Sequence, residues 1–363
     1  MFRNTFYKKK ILITGHTGFK GSWLFIWLSL MGADLYGVSL KPKKNENILF
    51  FYFQDKVKNF FFDISNEIKT KNLIKKIQPD FIFHLAAQAI VSQSYKYPLS
   101  NWKTNLFGTI NLLESVKNFK QKCIIVIVTS DKCYEVDERK KQIFDEQAKL
   151  GGKDPYSASK ACVEILTNSY YCSFFRNNKN ISIATARAGN VIGGGDFSKD
   201  RIVPDCMKSW HLNNHAIIRN PNHIRPWQHV LDALSGYLLL AKKLNESKKI
   251  NGEAFNFGPD DKKLINVNNL VKRLGLFWKN SLIKNNRNVH KKILETSVLQ
   301  LDSKKSKKIL KWKTTLDLNN MIFMTSSWYA RYYASKDQIV NFSLDQIRFF
   351  CKTAMIKKNY WIK

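Results

Sequence analysis

No stretch of this sequence reaches the roughly 20 apolar residues that a membrane-spanning helix needs. The longest candidate, Trp23 to Gly32, is far shorter. The basic run Lys8 to Lys10 is followed only by Ile-Leu-Ile-Thr, too short an apolar core for a secretory signal. A cytoplasmic protein is the expectation. Paired cysteines are also missing: the six, at 123, 133, 162, 172, 206 and 351, include no C-x-x-C. They fall mostly in predicted strands and helices, which suits reduced, buried thiols better than a disulfide framework. Metal signatures are lacking too. His211 and His215 are spaced to share a helix face, but no H-E-x-x-H and no cysteine pair supplies the further ligands a catalytic zinc requires. No metal site is expected. Acidic residues are in deficit, 28 against 60 Lys and Arg, for a net charge of +32. Such an excess raises nucleic acid as a partner. The lysines are scattered, however, the chain is also rich in Asn, Ile and Phe, and no nucleic-acid motif is visible. The excess therefore reads as compositional bias on solvated faces, and no nucleic-acid partner is expected. A basic surface still steers small anions toward the protein and favours an anionic membrane face.

What is present is an alternating pattern. Lys9 to Thr14 reads as a short buried strand. Gly15-His16-Thr17-Gly18-Phe19-Lys20-Gly21 follows, then the apolar helix Ser22 to Met31. Glycines at 15, 18 and 21 permit a tight turn, close backbone approach to a pyrophosphate and close helix packing. The spacing is G-x-x-G-x-x-G rather than the common G-x-G-x-x-G, and its place directly after the first strand gives it weight. Further strands are predicted at Leu35–Leu40, Asn59–Ile64, Asp80–Ala87 and Cys123–Ser130, and a helix with Ser100 as N-cap and Trp102, Leu106, Ile110 and Leu113 on one face. Strands alternating with helices predict an α/β fold, a doubly wound parallel (Rossmann) sheet. Ligands bind such sheets at the carboxyl ends of the strands. His16, Asp63, Ala86, Gln88, Ser130 and Asp131 all follow strands and are expected to converge on one crevice. A chain of 363 residues buries a large core, as one big domain or as two lobes.

Tyr156-Ser157-Ala158-Ser159-Lys160 carries the chemistry. Asp154 as N-cap and Pro155 at the first helical position mark a helix start. Tyr156 and Lys160 then share one face. A phenol with a pKa of about 10 is a poor base, and a neighbouring ammonium favours its phenolate. The pair reads as a general base for an alcohol that loses a hydride.

Gly-x-x-Gly-x-x-Gly together with Tyr-x-x-x-Lys resembles the extended short-chain dehydrogenase/reductase superfamily. Five longer segments narrow the match: GHTGFKGSWL at 15–24, TSDKCY at 129–134, RAGNVIGGGDF at 187–197, DRIVPD at 200–205 and RPWQHV at 225–230. Together they resemble the CDP-glucose 4,6-dehydratases, from about residue 9 to Trp328-Tyr329. The resemblance implies oxidation at C4 of a nucleotide sugar, loss of water across C5 and C6, and hydride return to C6, with the cofactor restored each cycle. It makes Tyr156 the O4 base, Lys160 its tuner and ribose anchor, Ser130 a hydrogen-bond partner near O4, and Asp131 the acid for the C6 hydroxyl. Lys132 stands where related dTDP-glucose enzymes carry a glutamate, and is the C5 base or its partner. A simple epimerase of the superfamily needs only the Ser/Thr and the Tyr-Lys pair; a redox-inactive binder would lose that pair.

Gly15 to Gly21, Asp63, Ile64, Leu85, Ala86, Ala87, Gln88, Tyr156 and Lys160 are expected around the cofactor. Gln88, Asn190, Arg201, Arg225, Trp227 and His229 are expected around the nucleotide sugar, with ordinary packing an even alternative for Trp227. Ser39-Leu40-Lys41 lacks the acidic residue that often binds an adenosine ribose. Lys41 or Lys43 leaves NADP open, and the resemblance favours NAD. Residues 1–187, with a returning segment at about 225–260, are expected to form the cofactor domain. Residues 188–224 and 261–363 are expected to form a smaller mixed α/β substrate lobe. A homodimer is usual for the superfamily. The tail after Tyr329 has no functional reading.

Overall fold

Seven short strands rich in Ile, Val and Phe build the main sheet: β1 (Lys10–Thr14), β2 (Asp34–Ser39), β3 (Lys58–Phe61), β4 (Phe81–His84), β5 (Cys123–Val128), β6 (Ile181–Ala188) and β7 (Ala254–Phe257). The computed structural model describes residues 1–137, 142–259, 265–285 and 299–363. All strand pairs of this sheet are parallel, in the order β7-β6-β5-β4-β1-β2-β3. β4, β5 and β6 are buried along their whole length. A parallel sheet covered by helices on both faces requires such unbroken apolar runs.

Successive side chains alternate between the two faces. Ile11, Ile13, Phe81, Phe83, Ile124 and Val126 enter one hydrophobic cluster. Leu12, Ile82, Ile125 and Ile127 enter the other. The first face carries helices α1 (Phe19–Leu30) and α6 (Val230–Glu246), whose buried Trp23, Trp27, Leu234 and Leu238 join the same cluster. The second carries α2 (Glu67–Ile77), α3 (Gly108–Val116) and α4 (Pro155–Tyr170). Residues from α5 (Ile202–His211), α7 (Val267–Gly275), α8 (Leu318–Ala334) and α9 (Ile339–Ile356) extend the first cluster without a break. Strand order reverses between β1 and β4, so the crevice outside their carboxyl ends is where a ligand belongs.

Several local expectations are corrected. Ser100 caps nothing: a short helix starts at Pro98, continues through a wide π turn at Lys103–Phe107 and runs into α3. Proline suits a first helical turn, and a π turn shifts the helical register. The buried stripe is therefore Asn101, Asn105, Thr109, Leu112 and Val116, while Trp102, Leu106 and Ile110 are half-buried. His215 lies beyond the end of α5, so it does not share a helix face with His211, which stacks on Tyr333 at 4.0 Å. β3 ends at Phe61 and β4 at His84, which leaves Asp63 and residues 85–88 in the loops above the sheet. The tail after Tyr329 gains a structural account. Trp361 stacks on Phe2 and Phe350 at 5.1 and 5.6 Å and meets Trp27 edge-on at 5.5 Å, bracing the outer side of α1.

Candidate active site

The glycine turn has the shape its sequence requires. Gly15 adopts φ +73°, and a Cβ there would sit 2.8 Å from the Ala86 nitrogen. A Cβ on Gly21 would overlap the Gly15 carbonyl. α1 begins at Gly18, which has no side chain to cap it, so the first amides of the helix face the crevice, a natural anion site. The neighbouring residues divide between backbone and side chain. His16 is fully buried and turned away, its Nε2 2.9 Å from Asn59 Oδ1 and its imidazole held low by burial. Only its backbone remains for a ligand. Thr17 donates to Ser39 Oγ at 3.0 Å. Lys20 sends its ammonium across the crevice to Tyr237 OH at 3.3 Å. Burial, with Arg201 and Lys160 nearby, drives the Lys20 pKa down to about 7 against the pull of Asp131 and Asp196.

The ends of β1 and β4 are tied together. Thr14 Oγ1 lies 2.7 Å from His84 Nδ1 and accepts from the Ala86 amide at 3.1 Å. His84 Nε2 lies 3.0 Å from Thr109 Oγ1. Leu85, Ala86, Ala87 and Gln88 line the half-open loop that follows. The Gln88 amide closes on Ile90, accepting from its nitrogen at 3.0 Å and donating to its carbonyl at 2.9 Å. Asp63 accepts from the Ser65 amide at 2.9 Å, and Ile64 is buried against Gly108.

At the end of β5 the polar residues meet. Asp154 caps α4 by accepting from the Ser157 amide at 2.9 Å, with Pro155 in the first turn. This places Tyr156 over the β5 terminus. Ser130 stands beside the Tyr156 phenol, and its Oγ donates to Asp131 Oδ1 at 2.9 Å. Tyr156, Ser130 and Asp131 thus form one chain of neighbouring groups. Burial pushes Tyr156 up to about 12; Ser130 and the Arg201 charge pull it down, while Asp131 and Asp154 oppose them. Asp131 is 5% exposed, and burial raises its carboxyl despite Lys132, Ser130, Arg225 and Lys20 around it. Lys160 Nζ donates to the Val128 carbonyl at 3.2 Å, and burial lowers its pKa to about 8. The Arg201 charge favours the Tyr156 phenolate.

Arg201 is held by Asp196 at 2.9 Å, a partner that sequence reasoning missed. Asp196 closes the GGGD loop, and the run of glycines before it is the signal that it turns inward. Gly194 packs against Trp328 and accepts from Trp23 Nε1 at 2.8 Å, which clamps that loop to α1. Gly189 leaves room for Asp131, whose Oδ2 would lie 3.3 Å from a Cβ there. Asn190 is half-buried, its carbonyl accepting from the Gln228 amide at 3.0 Å. Arg225 is half-buried beside His223 at 3.0 Å and acts on Asp131. Trp227 and His229 are different. Trp227 is 6% exposed within the core. His229 is wholly enclosed, is pushed down to about 3 by burial, and accepts from the Leu231 amide as the cap of α6. The Trp227 Nε1 and His229 Nε2 atoms are buried without a hydrogen-bond partner among the described residues, and His229 Nε2 lies with Phe19 of the glycine turn around Gly193. Among the described residues, no cluster of His, Cys, Asp and Glu could hold a metal ion.

Residues 12–325 match the model of a family described as GDP-mannose 4,6 dehydratase. The chain belongs to this family. It is 36% identical to the CDP-glucose 4,6-dehydratase of Salmonella typhimurium, over 93% of this chain and 95% of that protein. It is 29% identical to a dTDP-D-glucose 4,6-dehydratase of Dictyostelium discoideum, over 71% of this chain and 62% of that one. In fold this family member is similar to the dTDP-glucose 4,6-dehydratase of Bacillus anthracis solved in complex with NAD. That similarity has a TM-score of 0.74 at 20% identity and covers 89% of this chain and 97% of that one.

Proposed function

We propose that the protein is a nucleotide-sugar 4,6-dehydratase that converts CDP-glucose to CDP-4-keto-6-deoxyglucose. The observation that carries this reading is the Tyr156–Ser130–Asp131 chain, which sets a raised, buried carboxyl beside the alcohol base. Oxidation of an alcohol needs the base alone; elimination also needs an acid. The CDP-glucose 4,6-dehydratase of Salmonella typhimurium, similar over nearly the whole length, supplies the substrate class.

NAD is the proposed cofactor. Bound, it supplies the hydride acceptor at C4 and the hydride donor at C6. The turn Gly15–Gly21, which side chains at positions 15 and 21 would close, holds its pyrophosphate, with Asp63 and Ile64 at the adenine and Leu85 to Gln88 beside the nicotinamide. Lys43 lies 3.4 Å from Glu46, which leaves it poorly placed for an NADP phosphate. Adding NAD and NADP back separately to the stripped enzyme separates the two.

Tyr156 takes the O4 proton, with Ser130 and the Arg201 charge favouring the phenolate. Lys160, held on the Val128 carbonyl, anchors the cofactor ribose. Asp131 protonates the departing C6 hydroxyl, for which its raised pKa suits it. Lys132, whose charge acts on Asp131, serves as the C5 base or its partner. Gln88, Asn190, Arg201 and Arg225 receive the nucleotide sugar, with the arginines at its diphosphate.

Residues 1–187 and 225–260 make the cofactor domain in this reading, and 188–224 with 261–363 the substrate lobe. The proposed assembly is a homodimer in the cytoplasm. Exposed Tyr97, Leu99 and Phe107, with Ile165 of α4 and Phe174 in the π turn that follows it, form an apolar face suited to a second copy. Among the described residues, no helix is long and apolar enough to cross a membrane. The deciding experiment incubates the protein with CDP-, dTDP-, UDP- and GDP-glucose. A 4-keto-6-deoxy product from CDP-glucose is expected. An epimerised sugar, or no product from any of them, overturns the reading.

A further inference from the structure

Glu164 lies one turn beyond Lys160 on α4 and is 4% exposed. Both of its carboxylate oxygens are engaged. Oε1 accepts a short hydrogen bond from the Thr129 hydroxyl. Oε2 accepts from Thr185 Oγ1 at 2.7 Å and from Arg187 Nη2 at 2.8 Å. Arg187 Nη1 passes on to Tyr134 OH at 2.8 Å and the Glu146 carbonyl at 3.2 Å. Tyr134 OH then donates to Asn256 Oδ1 of β7 at 2.8 Å. One carboxylate therefore joins α4 to the ends of β5 and β6 and, through Arg187 and Tyr134, to β7.

The position of Thr129 gives this network its consequence. Thr129 follows Val128, which accepts from Lys160, and precedes Ser130, which donates to Asp131 and stands beside Tyr156. Two successive turns of α4 thus grip two successive residues at the β5 terminus. Tyr156 leaves the helix one turn before this grip, and Ser130 leaves the strand one residue after it. The separation of phenol, serine hydroxyl and carboxyl is fixed by where the grip holds. A buried ion pair is poor evidence of stability, since apolar replacements of similar volume often do as well. Its value here lies in geometry.

We propose that Glu164 is a positioning residue of the active site, setting the Tyr156–Ser130–Asp131 chain through Thr129 and holding the Lys160 ammonium in place. The inference rests on the dehydratase reading for its substrate, and on the hydrogen bonds above for its geometry. The charged and titratable groups around Lys160 agree with it. Burial opposes the ammonium, Glu164 is the strongest group favouring it, Cys133 adds to Glu164, and Lys20 and His84 lie within its field. Arg187 faces Glu164 from β6 and pairs with it at 2.8 Å.

The mildest test is Thr129→Val, which removes one hydroxyl and keeps the volume. In NAD-loaded enzyme it should melt near wild type and bind NAD within twofold. Its kcat on CDP-glucose should fall by roughly ten- to a hundredfold, as misplacement of reacting groups produces, with KM little changed. Thr129→Ser should recover most of the rate. In Glu164→Gln the alkaline limb of the kcat profile should move to lower pH, because Lys160 loses its proton sooner. The same shift should appear in the pH dependence of Lys160 acetylation by acetic anhydride, read by mass spectrometry without substrate. Wild-type kcat in Thr129→Val, or an unshifted Lys160 titration in Glu164→Gln, overturns the proposal. Wild-type enzyme inert on CDP-glucose overturns the dehydratase reading alone, and the acetylation titration then decides the role of Glu164.

Discussion

Asp131→Asn separates the two halves of the proposed reaction. Asparagine keeps the size of the side chain and an acceptor for Ser130 Oγ, now 2.9 Å from Asp131 Oδ1. Tyr156 retains Ser130 beside it and the field of Arg201, so oxidation at C4 should proceed. What is lost is the acid for the C6 hydroxyl. General acid catalysis contributes on the order of a hundred- to ten-thousand-fold, or about 3 to 5 kcal/mol of barrier. The fold should not suffer. Burial raises the Asp131 carboxyl, so its folded pKa lies above its unfolded one. Such a group favours the folded state most below its unfolded pKa, and that contribution fades as pH rises through the folded value. Above the folded value the wild type bears the cost of a buried charge that asparagine does not, and there the variant should melt at the same temperature or higher. The wild-type rate should fall as pH rises through the Asp131 pKa, and the variant should lack that limb. Single-turnover mixing with CDP-glucose should show reduced cofactor absorbance that forms and persists, with little 4-keto-6-deoxy product. Wild-type product from heavy water should carry deuterium at C5. 4-Keto-6-deoxy product at the wild-type rate from the variant refutes the acid assignment.

Tyr156→Phe should lower turnover by at least a hundredfold while NAD affinity stays within a few-fold; near-normal turnover in the purified variant removes Tyr156 as the base. Gly21→Ala puts a methyl into the Gly15 carbonyl and 2.7 Å from the His16 Cα, so NAD affinity should fall at least tenfold by fluorescence titration, and an unchanged affinity counts against the pyrophosphate site. His84 is pushed down to about 3 by burial, first, and by the charge of Lys160. Its unfolded pKa is about 6.5, so its neutral form favours folding above that value and loses this effect as pH falls toward 3. In His84→Gln the pH slope of unfolding free energy between pH 4 and 6 should be smaller than in wild type by about 1.4 kcal/mol per pH unit, measured by denaturant titration. Equal slopes mean that His84 is not buried neutral.

The architecture was legible because its signals are local and periodic. Three glycines between a strand and a helix, and apolar runs of four to six residues at intervals, leave few folds to choose from. Asp154-Pro155 marked the start of α4 for the same reason: cap and first turn are neighbours in sequence. The failures share a cause as well. A fixed period of 3.6 residues was carried through 98–116, where the π turn at Lys103–Phe107 resets the phase, so the stripe was read one residue off. Asn101 and Asn105 are inside because they bond to the Pro155 carbonyl and Ser159 hydroxyl at 2.8 Å, 54 positions away in each case.

Long-range pairing also explains what spacing alone leaves open at the site itself. Tyr-x-x-x-Lys spacing fixes which helix face the two residues share, but not where a four-carbon chain ends. Lys160 is drawn to the Val128 carbonyl because the β5 terminus lies within reach and a buried ammonium needs an acceptor. Arg201, 45 positions from Tyr156, arrives beside the phenol because Asp196 and the α5 start hold it there. A cation that favours the phenolate thus comes from the segment that meets the substrate in the proposed reading. That coupling has a mechanistic sense. In that reading an arginine shared between the phenol and an entering diphosphate would change its field at Tyr156 when the sugar binds, so the base and the anion site would be one electrostatic unit. The glycine run before Asp196 makes this possible: Gly193, Gly194 and Gly195 let the loop lie flat between Phe19, Trp328 and Leu49, and a side chain on Gly194 would push Asp196, and with it Arg201, off the phenol.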